Sequence, residues 1–178
     1  MAFDTPAIRA VSLARLDESI DLDLVARHFL VLLIVDDRDI ADEELRRFAR
    51  RMIDSGAVFL CVWAPDSVRV LQLFLEVTAE YPETDNRFLM CAGREQRFEQ
   101  MLWYFLYATR PAPDFETTCR SRIVVTVAAP HLAAEVHRYL SEPHTETLDE
   151  LYYQDMLAED EDWKRQAKED DPPDRPSA

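Results

Sequence analysis

Seven consecutive apolar residues, Phe29 to Val35, end abruptly at Asp36-Asp37. A run of branched and aromatic side chains with no polar alternation suits a strand buried on both faces, as in a parallel sheet. A helical stripe follows: Leu45, Phe48, Ala49, Met52 and Ile53 recur at i, i+3, i+4, i+7 and i+8. Early acids and late arginines complement the dipole of that helix, and Gly56 supplies its stop. A strand buried on both faces needs helices on both sides, so this one unit already points to a layered α/β fold.

The unit repeats. Ala57 to Trp63 reads as a second buried strand, with Asp66 positioned to cap a helix over Val68 to Glu80. Arg87 to Cys91 reads as a short third strand leaving through Gly93, and Glu95 to Tyr107 as a third helix. That helix is apolar nearly all round after Phe98, and so belongs to the core. Arg122 to Ala128 reads as a fourth strand, and Pro130 opens a fourth helix running to about Leu140. The alternation predicts a three-layer α/β sandwich with a mostly parallel sheet of about four strands, occupying residues 1–141. Leu13, Leu16, Ile20, Leu22 and Leu24 leave the first 25 residues open between an extra helix and an edge segment.

Residues 142–168 read as an acidic helical appendage. Thr147 and Glu150 match a capping box, and Leu148, Leu151, Tyr152 and Met156 fall on one helical face, with Trp163 beyond them. These five apolar residues are candidates for partner binding. Residues 169–178, acidic and rich in proline, read as a disordered tail.

Charge and inventory exclude more chemistry than they suggest. The net charge is −15, and the stretch from Glu142 onward carries 13 acidic and 4 basic residues, a net of −9. That balance argues against a nucleic-acid partner held through its phosphates. With two glycines in the chain, Gly56 and Gly93, the glycine-rich phosphate loops are absent. Both lysines, Lys164 and Lys168, lie in the tail, so no body lysine can form a Schiff base or pair a phosphate. Cys61, Cys91 and Cys119 are odd in number and widely spaced. No zinc or disulfide framework follows, and Cys61 and Cys91 read as small buried apolar residues. The first fifteen residues lack the apolar region of a signal peptide, and no apolar run approaches the ~20 residues that span a bilayer. The expectation is a cytoplasmic protein with no membrane association.

Ligands of open α/β sheets bind beyond the carboxyl ends of the strands. On this topology Asp36, Asp37, Asp39, Asp66, Arg94 and His131 are the polar residues brought to that end, and they are the candidate catalytic residues. Adjacent carboxylates after a first strand resemble the Mg²⁺ corner of response-regulator receiver domains. Asp37-x-Asp39 resembles the aspartyl pair of haloacid-dehalogenase-type phosphatases. Either resemblance implies clustered carboxylates, Asp36 and Asp37 foremost, holding Mg²⁺ against a phosphoryl group. Both families also use a late lysine that this body lacks. The plainer reading is that these aspartates end the strand and cap the first helix.

His131, Glu135 and His137 do not match the spacing of a zinc-binding helix. Ser67, at a strand–helix turn, lacks the small neighbours of a nucleophile elbow.

The helix Glu99-Gln-Met-Leu-Trp103-Tyr-Phe105, then a loop with Phe115 and Cys119, then an apolar strand, resembles a group of small bacterial α/β, Rossmann-like proteins. The likeness covers about residues 29–128. It implies a bacterial origin and the α/β fold, and carries over no catalytic residue.

Three functions are therefore expected of such a chain. The first is protein–protein binding, immunity-like or in a regulatory or accessory role, to a partner with a basic surface and without a cofactor. The second is a Mg²⁺-dependent phosphoryl-transfer or hydrolytic enzyme using Asp36, Asp37 and Asp39. The third is a degenerate receiver-like sensor.

Overall fold

The computed structural model describes residues 7–20, 27–37, 39–81, 88–92 and 98–141. The described residues all belong to one unit, Met1–Pro143. The expectations for Arg94, for the helix bearing Leu148, Leu151, Tyr152, Met156 and Trp163, and for the 169–178 tail lie outside the described residues.

The strands are β1 (Ala7–Leu13), β2 (His28–Val35), β3 (Ala57–Trp63), β4 (Leu89–Ala92) and β5 (Cys119–Val127). They form one sheet in the order β1-β5-β2-β3-β4, and every neighbouring pair is parallel. The helices are α1 (Asp42–Asp54), α2 (Ser67–Thr78), α3 (Phe98–Trp103) and α4 (Pro130–Ser141). The α/β reading holds, with a fifth strand added. Ala7–Leu13 is the edge segment and not a helix; it pairs with β5 from Ala7 opposite Ser121 to Leu13 opposite Val127. Its position explains its weak pattern. Ala7, Ile8 and Ser12 on this outer strand stay exposed, so no unbroken apolar run was required there.

β2 lies in the middle, between β5 and β3. Seven of its eight residues are buried, as a strand covered on both faces demands. Phe29, Val31, Leu33 and Val35 face the layer of α1 and α2, joining Leu45, Phe48, Met52, Val70, Phe74 and Val77 in one core. Leu30, Leu32 and Ile34 point the other way. There, Trp63 of β3 meets Phe98 of α3 edge to face at 5.7 Å, and α4 lies over β1 and β5. All five residues of the predicted α1 stripe are buried.

The arginines opposite that stripe are not merely solvated. Arg46 meets Glu76 at 2.9 Å, Arg50 meets Glu80 at 2.8 Å, and Arg69 of α2 reaches back to Asp42. These pairs tie α1 to α2 from outside, and the Arg50 contact is forked, each guanidinium nitrogen taking one carboxylate oxygen. Its hydrogen bonds to Glu80 hold the Arg50 guanidinium well above its ordinary value, and Arg50 holds the Glu80 carboxyl below the usual carboxylate range.

The third helix departs from the expected regular helix to Tyr107. It is α-helical only to Trp103 and continues as a π-helical turn over Tyr104–Ala108. Phe98, Met101, Leu102, Phe105 and Leu106 are buried as a core helix requires, whereas Tyr107 is exposed.

Candidate functional site

The chain runs outward from β2 through β3 to β4, and α3 then carries it back to β5 on the other side of β2. Connections leaving the tips of β2 and β5 therefore diverge, one into α1 and the other into α4. Such a divergence opens a crevice at the carboxyl ends of the strands. A cavity of about 230 Å³ lies here, its lining including Asp37, Asp39, Glu44, Arg15, Val127 and Ala128.

Each lining residue has a local cause. Asp37 is the second residue after β2, and its Oδ1 accepts the Asp39 backbone N–H at 2.8 Å. This local turn fixes the Asp37 carboxylate against the backbone just past the strand tip. Glu44 lies in the first turn of α1, where the helix dipole favours an acid. Arg15 follows β1, and its guanidinium lies 3.5 Å from both Asp17 and Glu44. Ala128 is the one non-glycine residue with a positive φ, 53°, among the described residues. A left-handed alanine is strained by about 1–2 kcal/mol. It is fixed by the Ala128 N–H donating to the Leu13 carbonyl at 3.0 Å, which joins the β1 and β5 tips.

The structure brings some sequence-predicted residues together and separates others. Asp37 and Asp39 line the crevice. Asp36 points to His131, whose Nε2 is 3.9 Å from the Asp36 Oδ2, both side chains being exposed. That pair bridges the exits of β2 and β5. Asp66 is elsewhere: it caps α2, its Oδ1 accepting the Arg69 N–H at 3.2 Å, as its place before that helix predicted. The alternative that the aspartates after β2 cap α1 is corrected. Its N-cap is Ala41, with no side-chain cap bond, because the Asp37–Asp39 turn closes on itself before the helix starts. Among the described residues, no three His, Cys, Asp or Glu side chains gather closely enough to hold a metal ion. Ser67 is fully buried at the start of α2.

Sequence reasoning missed Arg15, Glu44 and Ala128. Arg15 fell in the segment left open, and Glu44 looked like an ordinary first-turn acid. Nothing in an alanine announces a positive φ. A bend forced between the tips of β5 and β1 would have been its only signal.

A family model described as a domain of unknown function (DUF7684) matches residues 8–143, from β1 through α4. No curated protein and no solved structure matches the chain.

Proposed function

This chain belongs to the DUF7684 family, and we propose that it acts by protein–protein binding, its strand-tip crevice taking a basic side chain from a partner. The observation that carries this reading is the crevice's charge. Among the described residues, three carboxylates, Asp37, Asp39 and Glu44, line one cavity, and the cation that lines it with them, Arg15, is already engaged by Asp17 and Glu44. A guanidinium or ammonium entering the cavity gains charge-assisted hydrogen bonds that no neutral group would. The size fits the same occupant: about 230 Å³ falls below the roughly 300–1,000 Å³ typical of small-molecule sites. One long side chain fills such a space, whereas a drug-sized metabolite does not. The net charge of −15 steers a basic surface toward the site from a distance.

An immunity-like or regulatory role in the bacterial cytoplasm suits a protein whose work is to cover a basic surface. The competing reading, a Mg²⁺-dependent phosphoryl-transfer or hydrolytic enzyme, asks Asp36, Asp37 and Asp39 to converge on one ion. Asp36 instead points to His131, and Asp37 closes a turn on the Asp39 backbone.

The test is affinity capture with the full chain, and with Asp37→Asn/Asp39→Asn/Glu44→Gln, at low and high ionic strength. A basic protein retained only by the unsubstituted chain and released by salt is the expected result. Equal retention by both chains would overturn the role of the crevice. A melting-temperature rise with Mg²⁺ that disappears in Asp37→Ala would favour the enzyme.

A further inference from the structure

We propose that Cys61 and Cys91 are a reversible disulfide site, oxidised by a peroxide and reopened by a thiol reductant. The two residues are direct partners in the β3–β4 register, 30 positions apart in sequence. Their Sγ atoms are 2.7 Å apart, and both cysteines are free thiols. Adjacent strands lie about 4.7–4.9 Å apart, inside the Cα separation of about 4.4–6.8 Å that a disulfide accepts. The register and the Sγ contact thus place the two sulfurs within reach of one another across neighbouring strands.

The two thiols are not equivalent, and the difference assigns their roles. Cys61 is fully buried in β3, whereas Cys91 is half-buried on the edge strand β4. An oxidant from solvent meets Cys91 first. The hydrogen bond from Cys61 pulls the Cys91 thiol below its ordinary value, and burial pushes the Cys61 thiol far up. Of the two, Cys91 is thus the thiol that gives up its proton more readily and supplies the attacking sulfur.

In the first step the Cys91 sulfur bonds one peroxide oxygen and the O–O bond breaks. The departing hydroxide takes a proton to become water, leaving a sulfenic acid. In the second, the Cys61 sulfur bonds the Cys91 sulfur and the S–O bond breaks. The leaving hydroxide takes the Cys61 proton as a second water. Two thiols and one peroxide give one disulfide and two waters, the sulfurs losing two electrons and the peroxide gaining them. A reductant dithiol reverses the result by exchange.

Cys119 serves as an internal control. It starts β5, which β2 separates from β3, and burial pushes its thiol up to about 11. It has neither a resolving partner nor a ready thiolate.

The experiment treats the full chain with hydrogen peroxide and reads intact mass and a non-reducing peptide map, with dimedone as a sulfenic-acid trap. The expected result is loss of two hydrogens, a single cross-link joining the Cys61 and Cys91 peptides, its reversal by dithiothreitol, and an unmodified Cys119. Cys61→Ser should accumulate a dimedone adduct at Cys91, while Cys91→Ser should leave Cys61 unmodified. Peroxide treatment that oxidises Cys119 first, or that yields no Cys61–Cys91 cross-link, would overturn the proposal. Should either variant fail to fold, the peptide map of the unsubstituted chain decides alone.

Discussion

Arg122 of β5 is buried beneath the π-helical turn and donates from Nη2 to the Thr109 carbonyl at 3.0 Å. Its Nε donates to the Phe105 carbonyl at 3.2 Å. The guanidinium thereby adds a second donor to each carbonyl, beside Thr109 Oγ1 on Phe105 and Arg110 Nη1 on Thr109, and ties the end of the π turn to β5. Burial, with Arg110 nearby, pulls Arg122 below the ordinary arginine value. Arg122→Met should therefore cost about 1–2 kcal/mol, because each carbonyl loses one of its two donors while Thr109 Oγ1 and Arg110 Nη1 remain. Urea unfolding measures it. Arg122→Lys should recover only part of the loss, since one ammonium cannot reproduce the fork.

Gly56 makes the turn from α1 into β3 at a φ of 100°. A Cβ there would lie 2.3 Å from the Arg27 backbone carbonyl oxygen, and backbone cannot yield as a flexible side chain would. The Gly56 carbonyl also accepts the Phe29 N–H at 3.1 Å, so a shift would disturb the start of β2. Gly56→Ala should cost about 2 kcal/mol or more, read as a lowered denaturant midpoint with an unchanged slope.

His28 should make stability fall with acidity. Its Nδ1 lies 2.7 Å from Thr118 Oγ1 and its ring packs at a tilt against Phe115. Burial first, and the neighbouring Arg27 second, hold it below the ordinary histidine value of 6.5. As pH drops below 6.5 the unfolded chain takes up a proton that the folded chain refuses. The stabilisation is therefore complete above 6.5 and is lost as pH falls toward the folded value. Unfolding free energies from about pH 7.5 to about pH 5 should decline less steeply in His28→Gln than in the unsubstituted protein.

Most of this fold is legible in the amino-acid order, for a physical reason. β2 and β3 are covered on both faces, so their residues had to be apolar without interruption, and α1 had to show its stripe. β1 was harder to read because an edge strand buries little, and the π turn because its apolar residues fit a regular helix equally well. The crevice was half legible. Asp37 and Asp39 follow from the rule that strand tips carry sites, and Glu44 arrives with the first turn of α1, but Arg15 reaches it through the β1–β5 pairing, which no local pattern encodes. The Cys61–Cys91 contact was hidden in the same way, since a register between distant strands sets it.

The central claim is that the β2–β5 crevice, among all the acidic surfaces of this chain, takes a basic side chain. Amide chemical-shift mapping of the full chain, titrated with a short arginine-rich peptide, tests it most directly. The account predicts saturable shifts at Asp36, Asp37, Asp39, Glu44 and Val127 to His131, which weaken with salt and vanish in Asp37→Asn/Asp39→Asn. Shifts confined to residues 142–178, where the net charge is −9, or spread evenly over the surface without saturating, would contradict it.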